Sequence, residues 1–435
     1  MKLLLQNAHV IDPANAMDRI ADIAIADGRV VAVGSTPADF TPERIVDVSG
    51  LVAAPGLVEL SARLREPGQE YRATLESEMQ AALHGGVTTL SCPPDTDPPL
   101  DEPGLVEMLK FRAQALNQAH VYPQGALTIG LQGAIITEMN ELTDAGCIGF
   151  GQAECPIENT QVLLRAMQYA HTFGYVVWLR PQDPWLGRGG VAHAGPVAAR
   201  LGLSGVSSAA ESVALHTIFE LVRMTGCKVH LCRLSSAQGI ALLREAKREG
   251  LPITADVSIN HVHLIDIDIG YFDPMKRLIP PLRAQRDRDA IRAGLADGTI
   301  DAITSDHCPV DDDEKLLPFD QASPGATGLE LLLPLALKWA DECGLSPARA
   351  IEKIALAPAR ILGSGGIHVQ AGSLALGMPA DLCLYDPHAR WRVEPRALAS
   401  QGKNTPFLGM ELQGQARYTI VGGHIAYEAT KEFAA

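Results

Sequence analysis

The first fifty residues carry short apolar runs separated by turn residues. Residues 3–11 are apolar and strand-like, residues 21–33 are interrupted by Asp27-Gly28, and residues 44–54 follow a proline-containing connection. The same texture returns in residues 380–385, 416–421 and 424–427, with Gly422-Gly423 placed for a hairpin turn. Two such segments at opposite ends of one chain predict a small β-sandwich domain assembled from both.

Between them the pattern changes to a regular alternation. Apolar strand-like runs begin near Gly56, Gly86, Val121, Cys147, Tyr175, Lys228, Ile253 and Asp301. Most lead into segments of helical period, among them residues 74–84, 160–171, 209–224, 237–248, 286–296 and 329–341. Eight strands alternating with helices predict a closed (β/α)8 TIM-type barrel of the α/β class. An open doubly wound sheet lacks support, because no phosphate-binding glycine fingerprint follows the first strand. The expected division is residues 1–55 for the first part of the β domain, 56–365 for the barrel and 366–435 for the rest of the β domain. A barrel places chemistry at the C-terminal ends of its strands.

Composition narrows the functional classes. At 435 residues the chain can bury a large core, and 47 % hydrophobic with 20 % charged residues speaks against disorder. Its formal charge of −15 repels phosphate backbones, so no nucleic-acid partner is expected. The richest apolar run, residues 331–340, contains Pro334 and Lys338, and Leu3-Leu4-Leu5 gives way at once to Gln6-Asn7. Neither predicts a membrane span or a signal core. The eight cysteines are scattered without a Cys-x-x-Cys pair, as expected of reduced thiols in the cytoplasm and not of a structural zinc site.

Several strand-end segments carry a resemblance. They are Pro55-Gly56-Leu57-Val58-Glu59, Leu64-Arg65-Glu66-Pro67-Gly68, Gly85-Gly86-Val87-Thr88-Thr89, Pro280-Pro281-Leu282-Arg283 and Ser305-Asp306-His307-Cys308-Pro309. In this order, from residue 55 to about residue 363, they resemble dihydroorotases and their amidohydrolase relatives.

That resemblance implies a binuclear metal centre, in which two cations polarise a carbonyl and lower the pKa of bound water. The implied ligand positions hold other residues here. The His-x-His pair of the first strand is replaced by Ser61-Ala62-Arg63. The bridging aspartate is missing from the segment containing Gln152, where Glu154 is the only carboxylate and is displaced from the expected place. A bridging lysine is excluded, since none occurs between Lys110 and Lys228. The fifth strand ends Trp178-Leu179-Arg180, and the sixth carries Arg233 at the histidine place. His230 survives, but strand alternation predicts it on the opposite face from Arg233. Arginine stays protonated and cannot ligate a cation. Only Asp306, the family's metal-binding general base, remains, with His307 beside it. One conceivable rival is a mononuclear site from His261 or His263 with His307 and Asp306. Arg63, Arg180 and Arg233 bring positive charge to the mouth, and one or more is expected to pair with Asp306.

The implied substrate grip is altered too. Arg65 is kept, but Asp95 and Asp97 stand where the family has asparagines, and Ile279 replaces another. A carboxylate there would repel the substrate's own. The acidic segment 311–324 reads as a mobile lid. The resemblance is closest in kind to inactive dihydroorotase homologues that accompany aspartate carbamoyltransferase. It implies a pseudoenzyme in pyrimidine biosynthesis, without cofactor, forming a homo-oligomer or a mixed complex with that enzyme's catalytic subunit. The alternatives are an active cyclic-amide hydrolase of the dihydroorotase or hydantoinase class with an atypical mononuclear or metal-free site, and a metabolite-binding sensor.

Overall fold

The computed structural model describes residues 2–365 and 367–429; residues 366 and 430–435, which the expected last segment includes, lie outside the described residues. Eight short parallel strands line the barrel: Leu57–Glu59, Val87–Cys92, His120–Pro123, Phe150–Gly151, Val176–Leu179, Lys228–Leu231, Ile253–Ser258 and Ala302–Thr304. Neighbours pair in parallel register, as in Trp178 opposite His230 and Asp256 opposite Ala302. The ring closes where Ala62 bridges His307 in parallel, with Arg63 N–H donating to His307 O at 2.9 Å. The strand sequences are rich in Val, Ile and Thr, whose branched side chains pack well on a pleated surface.

The helices follow their sequence signals closely. Thr74 caps the helix Leu75–His84 in a capping box with Ser77. Gly226 ends Ala209–Thr225 in the left-handed region at φ 69°, a conformation that glycine adopts without a Cβ penalty. The expected helix over 329–341 begins instead as a 3-10 turn, Leu329–Leu331, before the helix Leu332–Glu342. Helices Pro103–Leu116 and Met139–Ala145 complete the layer after the second and third strands.

The terminal segments form one eight-stranded sheet. Leu382–Arg392 pairs antiparallel with Val52–Pro55, which joins the strands of the two chain ends. Leu3, Leu5, Val10, Ile23, Ile25, Leu382, Leu384 and Ile420 share the core of this domain. No helix among the described residues is long and apolar enough to cross a membrane.

The segment 311–324 is not the free lid its composition suggests. It includes a short helix, Asp312–Lys315, and buries Phe319 and Ala322. Arg72 grips Glu314 at 2.8 Å, and Lys315 Nζ donates to Pro274 O at 3.1 Å. Apolar anchoring and these two contacts outweigh the repulsion among its acids.

Candidate functional site

Three arginines converge on two carboxylates at the centre of the barrel mouth. Glu154, on the loop after the fourth strand, is the hub. Arg63 Nη2 donates to Glu154 Oε1 at 2.9 Å, Arg233 Nη2 pairs with the same oxygen, and Arg180 Nε lies 2.6 Å from Oε2. The Arg180 contact lacks hydrogen-bond alignment and acts by charge. Its other nitrogens donate to Gln182 Oε1 and, at 3.3 Å, to Glu154 O. Asp306 Oδ1 accepts from Arg233 Nη1 at 3.0 Å and has Arg63 Nη1 at 3.7 Å. Arg63 Nε completes the cluster by donating to Asp95 Oδ2 at 2.7 Å.

Three guanidinium groups thus face three carboxylates, and the formal charges cancel. The arginine side chains are only 6 %, 5 % and 5 % exposed, against 29 % for Glu154 and 9 % for Asp306. Burial works to raise the Glu154 carboxyl, but Arg233, Arg180 and Arg63 overcome it and hold it at about 2. At Asp306 burial prevails over Arg233 and Arg63, and its carboxyl rises above the usual range.

Backbone geometry aims these groups. The sixth strand ends at Leu231, and Arg233 adopts φ 55°, in the left-handed region that costs a non-glycine residue strain energy. Alternation alone would turn Arg233 away from the face of His230. The left-handed turn brings it back, so both side chains look into the barrel, which corrects the expectation of opposite faces. Asp306 (φ 53°), Arg65 (φ 64°) and Ala153 (φ 47°) share this conformation around the mouth. Below the turn, Glu211 holds the adjoining loop: its carboxylate accepts from the N–H and hydroxyl of both Ser235 and Ser236 at 2.6–3.0 Å.

Other residues singled out from the sequence serve the framework. Gln152 turns from the mouth to Thr128 and to Leu131 O at 2.9 Å. Ser61 N–H donates to the buried Glu59 at 2.7 Å. Trp178 packs inside the barrel with its ring 4.3 Å from that of His230. Arg65 directs its three nitrogens to Pro309 O, Gln69 Oε1 and Cys308 Sγ, at 2.9, 2.9 and 3.0 Å, so protein acceptors hold each of them in place. Asp97 is exposed at the surface, and Ile279 contributes only its backbone oxygen, 3.4 Å from Arg233 Nη1.

The conceivable mononuclear site is not assembled. His307 Nε2 is 2.6 Å from the buried Glu78, and its Nδ1 accepts from Gly328 N–H at 3.1 Å. His261 faces Pro281 O at 3.2 Å and His263 faces Leu335 O at 2.9 Å. Backbone carbonyls and a carboxylate have claimed each ring, so none turns to Asp306.

Among the described residues one group of donors does gather, deeper in the barrel. A nitrogen of His230, the Cys232 sulfur and an oxygen of Asp256 all lie within 4.8 Å of one another. Each is engaged: His230 bonds Thr254 at 2.8 Å and Asp256 at 3.0 Å, while Asp256 also accepts from Arg233 N–H at 2.6 Å. Burial keeps the Cys232 thiol protonated well above its ordinary range. The trio reads as a satisfied polar layer beneath the arginines.

The space left at the centre of the mouth is about 20 Å³, lined by Ser61, Arg63, Trp178, Arg180, Cys232 and Arg233 among others. That accommodates roughly one water molecule. A cyclic amide has no room without movement of the guanidinium groups.

The fold and the loops converging on its mouth define an amidohydrolase-type (β/α)8 protein with an appended β-sandwich domain. The chain matches the dihydro-orotase-like family over residues 50–239 and the amidohydrolase family over residues 191–427. It is 41 % identical over 428 residues to a "dihydroorotase-like protein" of Pseudomonas aeruginosa, covering 98 % of this chain and all of the relative. A "dihydroorotase" of an Anaeromyxobacter species is 38 % identical over 431 residues, covering 99 % and 98 %. Among solved structures, an L-hydantoinase from Arthrobacter aurescens superposes with a TM-score of 0.87 at 24 % identity, covering 98 % and 96 %. This chain belongs to the dihydroorotase-like family of amidohydrolases.

The catalytic cations which such a fold implies do not fit these residues. A guanidinium offers no lone pair, and both Glu154 oxygens and Asp306 Oδ1 are occupied by arginine nitrogens. Glu154 is the residue whose importance the sequence understated. Its signal was its position as the first carboxylate after the fourth strand; Asp256 and Glu211 gave none.

Proposed function

We propose that this chain is a non-catalytic dihydroorotase-like subunit of pyrimidine biosynthesis, required for the assembly or activity of aspartate carbamoyltransferase. The observation that carries the first half is the arginine–carboxylate cluster. Amide hydrolysis needs a nucleophile activated near neutral pH and an acceptor for its proton. Asp306 can accept that proton only by giving up its ion pair with Arg233, 3.0 Å away. Nothing else at the mouth polarises a carbonyl while leaving room for one.

The partner rests on resemblance to inactive homologues that scaffold this transferase. The test is reconstitution. Aspartate carbamoyltransferase from the same cell should co-purify with the untagged chain and lose assembly or activity without it. A transferase that assembles and works equally well alone refutes the proposal.

A second reading, an active cyclic-amide hydrolase, is favoured by the relatives named dihydroorotase at 38 % identity. It requires the cluster to open. Dihydroorotate hydrolysis assayed with and without added zinc, alongside elemental analysis, separates the two. Zinc-dependent turnover sinks the pseudoenzyme reading.

A further inference from the structure

At the closed end of the barrel, opposite the mouth, lies a second cavity of about 280 Å³. Thr254 at the start of the seventh strand bounds one side, and Gly298 and Asp301 before the eighth bound another. Its floor comes from residues 349–361, where Glu352–Leu356 forms a π-helical turn. Such turns insert an extra residue into a helix and recur at functional sites.

This turn carries Lys353, a cavity-lining residue that is 2 % exposed. Its Nζ donates to Ile300 O at 2.8 Å, which uses one of three donors. The neighbouring charges pair among themselves: Lys247 with Asp301 at 2.6 Å, and Arg349 with Glu352 at 2.6 Å. Among the described residues no carboxylate pairs with Lys353 or with Arg360, which also lines the cavity. Two cations without an ion-pair contact therefore share one concave site, beside Asp301 and Glu352, whose carboxylates are already paired. Burial lowers the Lys353 ammonium to about 8, so an arriving anion would offset a desolvation cost already present. Two cations match a dianion, and Ala357 and Ile361 add an apolar wall beside them.

We propose that this cavity binds a small phosphomonoester, its phosphate held by Lys353 and Arg360 and its organic body lying against Ala357 and Ile361. The assignment is independent of how the mouth is read. The test is calorimetric titration of the full-length protein with glycerol 3-phosphate and with inorganic phosphate. Saturable binding is expected, tighter for the ester, and weakened roughly tenfold or more in both K353M and R360Q. Equal affinity for the two probes limits the site to a bare oxyanion and overturns the ester assignment. Absence of saturable binding in the wild type, or unchanged binding in both variants, overturns the site itself. Thermal unfolding of K353M checks its fold, and the exposed R360Q variant decides the matter where K353M is unfolded.

Discussion

Arg233 bridges Asp306 and Glu154: its Nη1 lies 3.0 Å from Asp306 Oδ1 while Nη2 pairs with Glu154 Oε1. One guanidinium thereby ties the loop after the sixth strand to those after the fourth and eighth. Removing one partner of a buried pair strands its counter-charge. R233M should lose about 3–5 kcal/mol of stability, toward the lower figure because Glu154 is partly exposed. Urea unfolding measures it, and D306N in the R233M background should recover part of the loss. A change near zero in R233M would mean that the cluster is solvated.

Acid should weaken the same cluster. The Glu154 carboxyl is held at about 2 in the folded protein, below its unfolded value. A depressed carboxylate contributes stability that is present above the unfolded pKa of about 4.3 and lost as pH falls toward 2. After allowance for screening at its exposed edge, about 2 kcal/mol should disappear over that window. E154Q should flatten that limb of the stability–pH curve; an unaltered curve contradicts the assignment.

His261 gives a second pH dependence at milder acidity. Burial brings its imidazole down to about 4, so it stays neutral in the folded protein while the unfolded chain takes up a proton below about 6.5. The unfolded state binds more protons between those values, and stability falls as pH drops through them. From pH 7 to pH 5 the cost is about 2 kcal/mol, read from denaturation midpoints. H261N should lack this component.

Arg65 separates a retained substrate grip from a structural role. Its three nitrogens serve Pro309 O, Gln69 and Cys308. R65M should cost about 1–3 kcal/mol through the orphaned acceptors. It should leave any thermal shift with dihydroorotate or carbamoyl aspartate as in the wild type. A ligand shift abolished by R65M at unchanged stability favours the sensor reading instead.

The barrel was legible because its period is local: all eight strands lie at the runs chosen from apolar residues between turns. The mouth was legible only in part. Arginine at three ligand positions says what the site cannot hold, and pairing with Asp306 follows from charge. The direction of Arg233 does not follow, because a single left-handed residue reverses what alternation predicts. Glu154 becomes a hub only when loops distant in sequence meet, and Arg63 is 91 residues from it. Segment 311–324 looked mobile because charge is visible in sequence whereas Phe319 and Lys315 find their burial only in three dimensions. Lys353 gave no signal, since an isolated lysine in a helical stretch is ordinarily solvated.

The pairing of Val52–Pro55 with Leu382–Arg392 also sets an order of events. The strand that receives the second partner is made early, and its partner arrives after the entire barrel has been synthesised. At ordinary translation rates the interval is on the order of tens of seconds. Through that time the first strands present an open edge, a template for wrong pairing. The protein's most exposed moment therefore falls during its own synthesis, and a chain cut short before residue 382 would carry that edge permanently.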